Sequence, residues 1–125
     1  MSLETNNLES LGTSYSHRAV FYLRAGEIDS AHTYYEKVYR VREATNDSIG
    51  LGYALLNLAE ISLAKNDFES SFKFIDRSID IRSKIGDRQG LAISILAKGE
   101  VFNAMGRPDD AMTYYNQSLD ISTSL

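Results

Sequence analysis

An all-α protein of three stacked helix-turn-helix pairs is predicted by three observations: a strict internal period, apolar stripes at helical spacing, and glycine-like stops between the stripes. The central copy, Leu51 to Gly90, carries Leu55, Leu58, Ala59 and Ser62, then Asn66, Asp67 and Phe68, then Ser71, Ile75, Ser78 and Ile81. Forty residues earlier the same pattern reads Tyr15, Arg18, Ala19, Tyr22, Gly26, Glu27, Ile28, Ala31, Tyr35, Val38 and Val41. Forty residues later it reads Ile95, Lys98, Gly99, Phe102, Gly106, Arg107, Pro108, Ala111, Tyr115, Ser118 and Ile121. An interval held without insertion or deletion marks a stacked repeat, whose unit cannot bury its apolar face alone. The copies span about 8–47, 48–87 and 88–125 and form a single array.

Each element follows from local signals. Leu8, Leu11, Tyr15, Ala19 and Tyr22 stripe a first helix from Leu8 to Arg24, and Gly26 stops it by taking the left-handed backbone state. The second helix begins near Ile28, with Glu27 and Asp29 at its positive end. Asn46 and Asp47 end it and cap a third helix from about Ser48 to Lys65. Asn66 fills the glycine slot, since asparagine tolerates the left-handed state. A fourth helix runs from about Phe68 to Lys84, Asp87 caps a fifth that reaches about Met105, and Pro108 opens the sixth at a position where a missing N–H costs nothing. Ala19, Ala59 and Gly99 on the first helix of each pair, and Ala31, Ser71 and Ala111 on the second, leave room for close helix approach. Tyr22, Phe102, Tyr35, Ile75 and Tyr115 fill the space beside them.

Composition narrows the function classes. With 43% hydrophobic and 24% charged residues among 125, the chain reads as globular and not as disordered. Its apolar runs are too short to span a bilayer, so no membrane partner is expected, and no basic-then-apolar signal segment opens it. A cytoplasmic setting is the expectation. The absence of cysteine excludes disulfides and thiolate metal sites. A net charge of −4 argues against a groove for nucleic-acid phosphates.

No catalytic or metal constellation emerges. His17 and His32 lie on different helices without further ligands, and one solvated and one packed histidine is the expectation. Gly50–Leu51–Gly52 has no preceding strand and no following Lys-Ser/Thr pair, so it reads as a helix start. The acids Asp67, Glu69, Asp109 and Asp110 sit where a helix dipole favours them, and no GxSxG elbow accompanies the serines. The expectation is no enzyme activity, no cofactor and no metal. Arg77, Arg82, Lys84 and Arg88 form the best candidate for an anion patch, although most of them fall at a helix end that favours cations.

Small residues at Ala59, Ser71 and Ser78, a glycine-like Asn66 and an aliphatic Ile75, with their equivalents in the flanking copies, resemble the tetratricopeptide repeat in a variety longer than the usual 34 or so residues. The resemblance covers nearly the whole chain. Arg18 and Lys98 depart from it where leucine is usual, Ser62 departs where an aromatic is usual, and no proline closes each second helix. It implies a right-handed helical-repeat solenoid, or α-α superhelix, whose first helices line a concave groove for a protein or peptide partner. The groove positions that transfer are Thr13, Ser16, His17, Val20 and Arg24, then Tyr53, Leu56, Asn57, Glu60 and Leu63, then Ile93, Leu96, Ala97, Glu100 and Asn103. Asn57 matches a groove asparagine that hydrogen-bonds a bound peptide backbone, for which an amide supplies donor and acceptor together.

Leu56, Leu63, Ile93 and Leu96 with Glu60 and Glu100 make that groove apolar with an acidic rim, suited to an amphipathic helix or a basic, hydrophobic peptide. The linker Gly86 to Gly90 is similar to those of bacterial regulatory proteins such as peptide-pheromone receptors, transcription regulators and sensor kinases. Glu4 to Asn7 align with Ala44 to Asp47, so the chain is expected to open on the tail of a preceding helix, as an excerpt of a longer protein. Ends without polar caps predict a homodimer or end-to-end stacking. The alternative function is a self-association segment with no separate ligand; a third reading uses the basic cluster to hold nucleic acid.

Overall fold

The computed structural model describes residues 3–124, with side chains from residue 7 onward. Six helices follow one another in this span: α1 Leu3–Arg24, α2 Ile28–Ala44, α3 Ser48–Ala64, α4 Phe68–Lys84, α5 Arg88–Ala104 and α6 Pro108–Thr123. No strand occurs among the described residues. The middle four helices are each 17 residues long, so the sequence period is carried directly into element length.

The turns repeat as faithfully as the helices. Gly26, Asn46, Asn66, Gly86 and Gly106 all have positive φ, between 53° and 79°. In each turn the next residue sends its N–H back to a carbonyl in the helix just ended: Glu27 to Tyr22, Asp47 to Arg42, Asp67 to Ser62, Asp87 to Arg82 and Arg107 to Phe102. This is the closure by which a left-handed residue satisfies the orphan carbonyls of a helix end. Asp47, Asp67 and Asp87 then cap the following helices by accepting from the N–H groups of Gly50, Ser70 and Gly90. Glu27 makes no such cap, and Pro108 opens α6 as expected.

Packing proceeds pair by pair. Consecutive helices contact each other along the chain, and α3 also touches α5, so the molecule is an all-α helical-repeat solenoid. The small residues lie at the closest approaches. Ala19, Ala31, Ala59, Ser71, Gly99 and Ala111 are all buried, and a Cβ added at Gly99 would come within 2.7 Å of the Tyr115 ring. One apolar cluster joins Ala19, Ala31, Tyr35, Leu58 and Ile61, and another joins Ala59, Ile75 and Val101. Each cluster takes residues from two successive pairs, which is why a single pair could not bury its own face.

One boundary differs from expectation. Helix α1 runs without a break through Asn6 and Asn7, the counterparts of the Asn46–Asp47 turn, so residues 4–7 are part of the first helix and not the tail of another. At Asn46 the cost of a left-handed backbone is offset by α2 and α3 packing on either side of the turn. At Asn6 and Asn7 the helix of α1 simply continues.

Candidate interaction groove

Three hollows lie side by side across α1, α3 and α5. The first, of about 820 Å³, is lined by Thr13, Ser16, His17, Val20, Phe21, Arg24, Ala25 and Arg42. A second, of about 350 Å³, is bounded by Leu56, Asn57, Glu60 and Leu63 of α3 and by Ala97, Glu100 and Val101 of α5, over a floor that includes Ser71 and Ile75. A third, of about 280 Å³, shares Ser16 and Arg42 with the first and Asn57 with the second. The three therefore form one trough.

Its width changes along its length. Helices α3 and α5 touch, whereas α1 and α3 keep their Cα atoms more than 8 Å apart. The wide end is the α1 end.

Most residues expected in the groove line this trough. Thr13, Ser16, His17, Val20 and Arg24 do so at α1, Tyr53, Leu56, Asn57, Glu60 and Leu63 at α3, and Ala97 and Glu100 at α5. Ile93, Leu96 and Asn103 are exposed on α5 but line none of the three hollows. A hollow needs two walls, and α5 has another first helix beside it on one side only.

The charge of the trough changes from end to end. Arg24 and, from α2, Arg42 stand at the α1 end, while Glu60 and Glu100 stand between α3 and α5. Neither glutamate is ion-paired among the described residues. Below Glu60, burial raises the pKa of the Tyr35 phenol and the nearby Glu60 carboxylate adds to the shift, so that hydroxyl stays protonated.

The basic cluster is dispersed by the fold. Arg82 is entirely out of water, at 0% exposure. Its Nη1 donates to the Gly90 carbonyl at 2.7 Å and to Ser94 Oγ at 3.1 Å, and the Tyr53 ring covers the guanidinium at 4.5 Å. Ser94 Oγ lies 3.0 Å from Ser78 Oγ, which also reaches the Gly52 carbonyl. Burial lowers the Arg82 pKa against the opposing pull of Tyr53 and Asp87. The other members point elsewhere: Arg77 pairs with Glu43 and Tyr39, Lys84 with Asp80, and Arg88 with Ser124. They form no shared anion patch. His17 is exposed, and His32 is half-buried between Lys65 and Glu36.

Arg42 is one of the trough residues that sequence reasoning passed over, with Phe21 and Ala25. Its signal was present in the period: Arg42, Gly12 and Gly50 stand 40 residues before Arg82, Gly52 and Gly90.

Residues 50–124 match the tetratricopeptide repeat, and residues 11–48 match a second form of the same repeat. The chain belongs to the tetratricopeptide repeat family. Two solved structures show how far the architecture is shared. BtubC (BKLC) from P. vanneervenii superposes with a TM-score of 0.80 at 16% identity, over 90% of this chain and 47% of its own. The chain thus spans about half the length of that protein. The TPR domain of Arabidopsis FLU superposes with a TM-score of 0.82 at 13% identity, over 94% of this chain and 99% of its own. At such identities the likeness is one of fold. None of the curated proteins matches the sequence significantly. Tetratricopeptide repeats are generally non-catalytic, and this chain is a scaffold module for protein interaction. None of its described helices is long and apolar enough to cross a membrane.

Proposed function

We propose that this tetratricopeptide repeat module binds an extended segment of a protein partner along the trough over α1, α3 and α5, as the recognition part of a larger cytoplasmic regulatory or signalling protein. The observation that carries the reading is the continuity of the three hollows through Ser16 and Asn57. An extended segment needs donors and acceptors along its backbone and anchors for its side chains. Asn57 supplies both hydrogen-bonding roles at the crossing point, and Leu56 and Leu63 supply apolar contact. The unpaired Glu60 and Glu100 favour lysine or arginine where the segment passes α3 and α5.

Selection of a random displayed peptide library on the immobilised protein tests this. Peptides enriched by the native chain should carry Lys or Arg beside an apolar residue. The double variant Glu60→Lys, Glu100→Lys should enrich Asp or Glu at the same place. Failure to enrich any sequence, or identical enrichment by both proteins, overturns the reading.

A second reading is favoured by one surface. Met112 and Leu119 on α6 are 55% and 59% exposed, an apolar face suited to self-association. Light scattering across a concentration series should then show a dimer that Leu119→Lys dissociates. A native monomer at every concentration excludes it.

A further inference from the structure

Each joint between pairs holds an arginine threaded between two glycines. At the later joint Arg82 passes Gly52 of α3 and Gly90 of α5, where an added Cβ would come within 2.6 Å of its Nε and 2.9 Å of its Cδ. At the earlier joint Arg42 takes the same path past Gly12 of α1 and Gly50 of α3, where the corresponding approaches are 3.2 Å to Nη1 and 2.8 Å to Cδ. The two slots correspond, the earlier one being looser at its first glycine. Their surroundings differ.

Where Arg82 is covered by the Tyr53 ring and held by Ser94 beside Ser78, Arg42 has Thr13, Ala54 and Val38 at the equivalent positions. Its side chain is 17% exposed, and among the described residues its guanidinium finds only Asp47 Oδ2, at 3.8 Å. Thr13 and Arg42 open together on the large hollow at the wide end of the trough.

We infer that this slot receives an aromatic side chain of the bound peptide, its ring lying on the Arg42 guanidinium as the Tyr53 ring lies on that of Arg82. The inference rests on the trough reading and adds the residue type recognised at the α1 end. The molecule itself supplies the template, a phenol ring on the equivalent arginine in the corresponding glycine slot. Flat guanidinium groups stack on aromatic faces in a way that ammonium groups do not. Carboxylates already stand beside Arg42, Asp47 in the ion pair and Glu9 in a hollow that both share, so its charge is balanced, while no aromatic ring among the described residues lies over its guanidinium. Those neighbours favour a neutral ring over a carboxylate.

The test extends the displayed-library selection to Thr13→Tyr, in which the chain fills its own slot. Peptides enriched by the native protein should carry Tyr, Phe or Trp at one fixed position relative to the basic residue. Thr13→Tyr should lose that aromatic preference and keep the basic one. A synthetic copy of the strongest peptide should bind Arg42→Gln about three- to tenfold more weakly, and its aromatic-to-Leu analogue should show no further loss on the same variant. Arg42→Lys, which keeps the charge without the plane, should behave like Arg42→Gln; circular dichroism verifies that each variant is folded.

Enrichment without a fixed aromatic, or independent losses from the two changes, overturns the inference and leaves the trough reading standing. Failure to enrich anything removes both. Should Phe21, 67% exposed on α1, prove to fill the slot of a second copy, shown by a dimer that Phe21→Ser and Thr13→Tyr each dissociate, the peptide-aromatic assignment is likewise overturned.

Discussion

At the joint between the second and third pairs, Arg82 lies out of water beneath Tyr53 with Ser78 and Ser94 around it, whereas at the joint between the first and second pairs Arg42 follows the same course and meets Thr13, Val38 and Ala54. The glycines that make the slot are common to both joints, so the backbone geometry is a property of the repeat. What is particular is the set of side chains that closes it. At the earlier joint three equivalent positions differ and the arginine is 17% exposed, with no ring among the described residues over it, and α1 and α3 stand further apart than α3 and α5. A repeat protein can therefore keep its architecture constant and vary its surface one position at a time.

The strongest way to break this comparison is to truncate the two arginines in parallel. Arg82→Ala removes a fully buried side chain and should destabilise the protein by about 2–4 kcal/mol, since large-to-small changes in a core leave a cavity. Arg42→Ala, at a side chain that is 17% exposed and held by one long ion pair, should cost about 1 kcal/mol. Urea unfolding followed by circular dichroism measures both. Arg82→Met sharpens the result by separating volume from charge. Two of the Arg82 nitrogens, Nε and Nη2, have no partner, and Ser94 still donates to the Gly90 carbonyl without the guanidinium. Methionine should restore most of the loss, because replacing a poorly compensated buried charge by an apolar side chain of similar volume is often neutral. A loss from Arg82→Met as large as that from Arg82→Ala would show that the charge, and not the packing, holds the joint.

A smaller effect is expected at the helix starts, where the first pair again lacks a feature of the second. Glu27 and Asp67 have nearly the same backbone angles, yet only Asp67 caps its helix with its side chain. Glu27→Asp shortens the side chain to the capping length and should stabilise the protein by about 0.5–1 kcal/mol, read as a rise in Tm. No change in Tm would show that the α2 start is satisfied by other means.

The smallest effect concerns acid. Hydrogen bonds from Ser70, the hydroxyl first and the backbone N–H second, lower the pKa of Asp67, with help from Lys73. A carboxylate held below its unfolded pKa contributes stability that is present above that unfolded value and lost as pH falls through the folded one. The stability of the native chain should thus decline on the acid side of the ordinary carboxylate range. Asp67→Asn, which can still accept at the cap, should decline less steeply over the same window. Equal slopes would remove Asp67 from the acid response.

Much of the fold was legible because the turns are periodic and chemically explicit. Gly26, Asn46, Asn66, Gly86 and Gly106 are residues suited to a left-handed backbone, and Asp47, Asp67 and Asp87 follow as caps, so helix ends could be placed within about a residue. The trough positions came with the resemblance to the tetratricopeptide repeat, and most of them line the three hollows. The fate of Arg82 was not. A cation in the last turn of a helix reads as solvated, and only the paired glycines on the two facing helices make room to bury it. Residues 4–7 were misread for the complementary reason: sequence alignment with a turn does not supply the packing that makes a chain turn there. Ile93, Leu96 and Asn103 line no hollow because a face becomes a groove only where a second wall stands opposite it.

On the inference drawn above, the earlier joint is a copy of the later one that lacks its own ring and takes a partner's. The most direct test is Thr13→Tyr, measured as Tm alongside calorimetric affinity for the peptide selected by the native chain. The two should move in opposite directions, Tm raised by the ring that now covers Arg42 and affinity reduced about three- to tenfold because the slot is filled. An unchanged affinity in a variant of raised Tm would contradict that inference.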